Sequence, residues 1–169
     1  MKSEKIALIG MMGSGKTTIA KLLAEKIKFE FVDLDEVFER ENNIKIKDYF
    51  KFFSEVDFRN KETNLLKKFS NSKNIIIATG GGIVLKNDNQ KILFNGDIFT
   101  IYLKATVNTI YDRIIDDNKR PLLSVQNKKE KISKILSSRE NLYNKANIII
   151  STDDKTKIEI VNEIWKKLI

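Results

Sequence analysis

Apolar and polar positions fall in short blocks along this chain, and the blocks change period. Residues 5–9 are an apolar run that stops at Gly10, the pattern of a buried strand. Residues 16–28 place Ile19, Leu22, Leu23 and Ile27 on one stripe, which predicts a helix. A second strand is expected over 31–34. The stretch 36–69 reads as helix in several pieces, broken near Asn42-Asn43, where Asn can take the left-handed conformation that ends a helix. Residues 75–78 form a third strand, closed by Thr79 and three Gly, and 98–103 a fourth. A helix is expected over 105–115. Residues 116–129 are polar and loop-like apart from Pro121-Leu122-Leu123. Another helix covers 130–145, and a fifth strand 148–150. The tail sets Ile158, Val161, Ile164, Trp165 and Leu168 on one helical face, which makes the lone Trp a core residue. Strands that are apolar throughout and alternate with helices predict a parallel sheet covered on both faces.

Composition narrows the chemistry. The 169 residues suit a single domain over 1–169, and 41% apolar residues suffice for a core. No apolar run approaches the ~20 residues of a membrane helix, and no signal peptide is apparent at the start. A cytoplasmic location is expected. Cys and His are both absent, which excludes thiolate nucleophiles, Ser-His-Asp chemistry and imidazole metal sites. A general acid or base must therefore be a carboxylate, Lys or Tyr. The net charge of +8 favours anionic partners but also fits a solvated Lys-rich surface. Rare residues say more. Only five of the 31 basic residues are Arg (Arg40, Arg59, Arg113, Arg120 and Arg139), in a chain that otherwise uses Lys. Arg is needed where a planar fork must meet an anion. Six of the seven Gly sit in two clusters, Gly10/Gly13/Gly15 and Gly80/Gly81/Gly82, and the single Pro, Pro121, follows Arg120.

Residues 10–17, Gly-Met-Met-Gly-Ser-Gly-Lys-Thr, match G-x-x-x-x-G-K-[ST], with a predicted strand before and a helix after. Backbone N–H groups of such a loop curl around phosphate oxygens at the positive end of a helix. Gly13, Ser14, Gly15, Lys16, Thr17 and Thr18 are thus candidate ATP-binding residues. Lys16 is expected on the β- and γ-phosphates and Thr17 on Mg²⁺. No Gly has Asp three positions before it and no N-K-x-D motif is present, which argues against a GTPase switch. The one strand ending in carboxylates is the second, Phe31-Val32-Asp33-Leu34-Asp35, which points to a small-molecule kinase. Alternation along an extended segment predicts Asp33 and Asp35 on one side, one toward Mg²⁺ through water, the other toward an acceptor hydroxyl. Capping of the next helix is the alternative use. Gly80-Gly81-Gly82 lies where open α/β sheets bind ligands, and can bring a ligand close to the backbone or simply form a tight turn.

With GMMGSGKT, D-L-D after the second strand, ATGGG at 78–82 and R-P-L-L at 120–123, the chain resembles the shikimate kinases. The resemblance covers essentially the whole length. It includes the run 46–62, IKDYFKFFSEVDFRNKE, which ends in F-R-x-x-E, and an R-x-x-L-Y pattern from Arg139 to Tyr143. It implies a five-stranded parallel sheet sandwiched by helices, like the P-loop nucleoside monophosphate kinases, with a substrate-binding segment at about 35–62 and a mobile lid at about 116–129. It also implies that Asp35 binds shikimate hydroxyls, Asp33 lies near Mg²⁺, and Arg59 and Arg139 hold the shikimate carboxylate. Gly81, between Gly80 and Gly82, would contact substrate. Arg120 would reach ATP phosphate from the lid, and Arg113 would lie along the adenine. Lys16, Asp35 and Arg120 are then the expected catalytic residues. Arg40 gets no role and is expected at the surface. Two positions depart from the family pattern: Ser54 and Asn43 stand where Gly is common.

The expected activity is transfer of the ATP γ-phosphoryl group to the shikimate 3-hydroxyl, with ATP and shikimate as partners, no nucleic acid or membrane partner, and a monomeric state. Two rivals remain at this point. One is another small P-loop kinase, for gluconate or a nucleoside monophosphate. The other is a basic nucleic-acid-binding domain, which should show a clustered basic face interleaved with aromatics, whereas Lys here is spread along the chain.

Overall fold

A computed structural model describes residues 3–115 and 127–169. Arg120, Pro121 and positions 116–126 of the expected lid lie outside the described residues.

Five parallel strands form one sheet: β1 (Lys5–Ile9), β2 (Glu30–Asp33), β3 (Ile75–Ala78), β4 (Phe99–Lys104) and β5 (Ile148–Ser151), in the order β2-β3-β1-β4-β5. Register pairs Leu8 of β1 with Ala78 on one side and Ile101 on the other. Period-2 geometry sends alternate β1 residues to opposite faces. Ala7 and Ile9 enter one core, with Phe38, Leu66 and Tyr143. Ile6 and Leu8 enter the other, with Ile19, Leu23 and Ile164. Both faces are apolar because both are covered, and this is why the strands read as unbroken apolar runs.

The helices are α1 (Lys16–Ile27), α2 (Leu34–Asn42), α3 (Ile46–Phe52), α4 (Glu55–Ser70), α5 (Asn87–Asn95), α6 (Val107–Ile114), α7 (Lys128–Tyr143) and α8 (Lys157–Leu168). Among the described residues no helix is long and apolar enough to cross a membrane. The chain runs from β1 to β2 on one side of the sheet and from β3 to β4 on the other. This reversal opens a crevice at the C-terminal ends of β1 and β3, the usual ligand position in such sheets. The loop after β1 and the glycine triplet after β3 both border it.

Several sequence expectations need correction. β2 ends at Asp33, and Leu34 already belongs to α2. Asp33 and Asp35 are therefore not related by strand alternation. Asp33 caps the helix through its side chain, and Asp35 rides on the first turn. The capping alternative is what the structure shows for Asp33, which is nonetheless buried. Helix α5 was not anticipated, because its weak stripe includes the fully buried polar Asn89. Helix α7 starts at Lys128, so the end of the expected 116–129 loop is helical. In α8 the buried stripe runs through Ile160, Val161, Ile164 and Leu168, whereas Ile158 is exposed and Trp165 only half-buried. Asn43 closes α2 in the left-handed conformation at φ 51°, as expected, and Ser54 caps α4 by accepting from Asp57 N.

Candidate active site

The loop between β1 and α1 wraps tightly. Gly13 has φ +75°, and a Cβ there would meet Ile114 Cγ2 at 2.7 Å, so both conformation and space demand Gly. Lys16 is buried and donates from Nζ to the Met11 carbonyl at 2.9 Å, folded back over the loop. The Ser14 hydroxyl is also buried and has no hydrogen-bond partner among the described residues. A buried hydroxyl without a partner costs free energy, and a phosphate oxygen in the loop would repay it.

Thr17 and Asp33 meet beside this loop. The Thr17 hydroxyl donates to Asp33 Oδ2 at 2.6 Å, while Asp33 Oδ1 accepts from the amides of Asp35 and Glu36 at 2.9 and 3.3 Å. One carboxylate thus ties the start of α1 to the start of α2. Among the described residues no group of three or more acidic side chains could hold a metal ion. A hydroxyl and one carboxylate are hard oxygen donors, too few for a protein cage. They fit Mg²⁺, which keeps several waters and takes further oxygens from nucleotide phosphates.

Arg113 closes the far side. Its Nη1 donates to Thr152 Oγ1 at 3.0 Å and to the Gly13 carbonyl at 3.4 Å, and its Nη2 donates to the Thr152 carbonyl at 2.9 Å. Together with Lys155 and Thr156 it lines an open groove of about 930 Å³ that also includes Gly13, Lys16 and Thr18. The loop after β5 therefore borders the same groove as the phosphate loop.

On the other side of the crevice the glycine triplet meets acids and arginines. A Cβ on Gly80 would lie 2.9 Å from Glu62 Oε1 and 3.0 Å from Asp35 Oδ1. Gly81 abuts the phosphate loop, where a Cβ would come within 3.3 Å of Met12 N and 3.7 Å of Arg139 Nη1. Gly82 lies under the Arg59 guanidinium, where a Cβ would fall 2.6 Å from Nη1. Arg59 is held by two acids on its own helix, Glu62 at 2.8 Å and Glu55 at 3.2 Å. Arg139 hydrogen-bonds the Tyr143 side chain, and the Tyr143 hydroxyl donates to the Gly81 carbonyl at 2.5 Å.

The charges around this turn are coupled. Burial pushes the Glu62 carboxyl above its ordinary range; Arg59 and Arg139 pull it back, and Asp35 adds to the rise. Burial likewise raises the Tyr143 phenol, against the pull of Arg139 and Arg59. Arg59 and Arg139, 80 positions apart in sequence, thus act on the same two groups. Two cations brought to one turn suit a carboxylate ligand.

Comparison with known proteins bears on which ligand that is. A family model for shikimate kinase matches residues 12–169. The chain belongs to the shikimate kinase family. A shikimate kinase of Persephonella marina is 43% identical over 166 residues, covering 98% of this chain and 99% of the relative. That of Thermodesulfovibrio yellowstonii is 42% identical over 97% of this chain and 94% of its own length. Among solved structures, shikimate kinase from Acinetobacter baumannii in complex with shikimate superposes with a TM-score of 0.93 at 33% identity, covering 98% of this chain and 93% of that one. Family membership decides between the readings weighed from sequence in favour of a shikimate kinase.

Two groups at this family site were given no role from sequence. Glu62 is the acid behind Arg59, and Tyr143 links Arg139 to the glycine turn. Their signals were the i, i+3 spacing in F-R-x-x-E and the i, i+4 spacing in R-x-x-L-Y, each of which sets two side chains on one helical face. Arg40 is exposed, as expected.

Proposed function

We propose that this chain transfers the γ-phosphoryl group of ATP to the 3-hydroxyl of shikimate, giving shikimate 3-phosphate and ADP in aromatic amino-acid biosynthesis. It does so as a single domain over 1–169, as a monomer in the cytoplasm, without nucleic-acid or membrane partners. The observation that carries this reading is the meeting of Arg59 and Arg139 at the glycine turn, with Asp35 beside Gly80 and Glu62.

Gly13, Ser14, Gly15, Lys16, Thr17 and Thr18 bind the triphosphate, and Lys16 exchanges the Met11 carbonyl for a phosphate oxygen. Mg²⁺, held by Thr17 and through Asp33, neutralises phosphate charge when bound. Arg113 and the loop at 151–155 border the adenine. Arg59 and Arg139 clamp the shikimate carboxylate, and Gly80, Gly81 and Gly82 let the ring lie close to the backbone. Asp35 accepts the hydrogen bond of the attacking hydroxyl. As the new O–P bond forms, the bond from γ-phosphorus to the bridging oxygen breaks, ADP departs with that electron pair, and the hydroxyl proton passes to the Asp35 carboxylate. Arg120 is assigned to an ATP phosphate, from a lid at about 116–129. Positioning and electrostatics supply most of the acceleration, since the transferring group needs little covalent help.

The test is a coupled assay for ADP release with ATP and Mg²⁺, supplying shikimate, gluconate or a nucleoside monophosphate as acceptor. Turnover confined to shikimate is expected. Turnover with gluconate or a monophosphate and none with shikimate would sink the proposal.

A further inference from the structure

Helix α3 has seven residues, no side-chain N-cap and a single buried residue, Tyr49. So short a helix does not persist on its own and must be held by contacts elsewhere. Tyr49 supplies several of them, beside Ile46 at the core edge and Phe50 against Phe58. The Tyr49 ring meets Phe38 edge-on at 4.9 Å, stacks on Phe53 at 4.4 Å and lies 6.4 Å from Phe58. A phenylalanine would pack equally well there. The hydroxyl is the addition, and it donates to Asp57 Oδ2.

Asp57 stands in the first turn of α4, two positions before Arg59. The same turn begins at Ser54, which caps the Asp57 amide at 3.1 Å, and includes Glu55, one of the two acids that hold the Arg59 guanidinium. Between Asp57 and Arg59 sits Phe58, buried, with the Arg59 guanidinium carbon 5.1 Å from its ring centre. The phenol thus fastens α3 to the turn that carries both Arg59 and one of its supports. Burial and the Asp57 carboxylate push the Tyr49 hydroxyl up to about 12, so it stays a donor at neutral pH.

We infer that Tyr49 is a positioning residue for substrate: through Asp57 it fixes the first turn of α4 and so sets the Arg59 guanidinium for the acceptor's carboxylate. This rests on the shikimate reading above. Tyr49 touches no reacting atom. Its effect passes through Arg59 and should appear only where Arg59 meets an anion.

Tyr49→Phe keeps the ring and deletes the one bond. One net hydrogen bond corresponds to roughly three- to tenfold in binding. KM for shikimate should therefore rise by roughly that factor, with kcat within about twofold and KM for ATP unchanged. The same substitution made in an Arg59→Lys background, or measured with shikimate methyl ester, should cost less than about twofold, because the fork or its anion is already gone. If the KM penalty is the same with acid and ester, or persists in Arg59→Lys, the bond is merely structural and the inference fails. An unchanged KM for shikimate also overturns it. Should Tyr49→Phe not fold, Asp57→Ala removes the same bond from the other side and must show the same carboxylate-dependent rise. Wild type without shikimate turnover would bring down the function and this inference together; wild type with turnover and an indifferent Tyr49 removes only the inference.

Discussion

The two sides of the crevice solve anion binding differently. On the phosphate side, eight consecutive residues, six between one strand and one helix and two opening that helix, supply the loop, the backbone amides and Lys16. On the acceptor side, Arg59, Glu62, Gly81, Arg139 and Tyr143 come from two helices and a turn, and meet only because the sheet brings them together. The phosphate side rests on geometry that a short peptide pattern encodes. The acceptor side rests on tertiary placement, on acids that hold Arg59 in advance and on a tyrosine that holds Arg139. A contiguous anion site can serve any triphosphate, whereas an assembled one is specific to the molecule it was assembled around.

The hardest blow to the phosphate side is Lys16→Met. Its charge is expected to stabilise the transferring group, so turnover should be abolished while the fold, followed by circular dichroism, persists. A folded mutant with near-normal turnover would show that the loop does not carry the phosphates. Where the sides meet, Asp35→Asn keeps the shape but is a poor proton acceptor. A kcat loss of ~10²–10⁴-fold is expected, larger than any rise in KM for shikimate. Unchanged kcat would leave Asp35 a positioning group only.

The acceptor side is broken more gently. Arg59→Lys and Arg139→Lys keep the charge and lose the fork. Each should raise KM for shikimate by roughly ten- to a hundredfold, with KM for ATP nearly unaffected. The penalties should largely vanish on shikimate methyl ester. Equal penalties on acid and ester would mean that neither residue reads the carboxylate.

Asp33→Asn tests the join between α1 and α2. Asn is as good an N-cap as Asp, so stability should change by less than ~1 kcal/mol. The Mg²⁺ concentration for half-maximal rate should rise severalfold, read by titrating metal at fixed ATP. The smallest effect concerns Glu62 and pH. Burial holds its carboxyl above the ordinary range in the fold, so the unfolded chain releases that proton first. Wild type should therefore lose some stability as pH rises from the ordinary glutamate range through the raised value. In Glu62→Gln the melting temperature should vary less with pH over that window; an identical profile would mean that Glu62 does not titrate differently on folding.

Legibility followed the same division. All five strands and the phosphate loop could be read because their signals are local: unbroken apolar runs, and a motif without a gap. The D-L-D segment was misjudged in geometry. Leu34 fits a strand by type, yet Asp33 starts a helix once its carboxylate accepts two amides. Helix α5 carries no clear apolar stripe, because its buried Asn89 answers to the Ile83 carbonyl in the turn just before the helix. The arginines were visible through their scarcity. What stands behind them shows only as spacing, Glu62 three after Arg59 and Tyr143 four after Arg139, which puts two side chains on one helical face without saying that the face is buried.

Arg59 takes its two supports from positions four before and three after it on α4, with Glu62 facing inward and Glu55 outward. The spacing between receptor and braces is thus fixed by the pitch of one helix and owes nothing to a loop. Such a brace travels as one piece, yet a scaffold that received residues 55–62 alone would hold a ready cation and still lack its partner, Arg139 of α7.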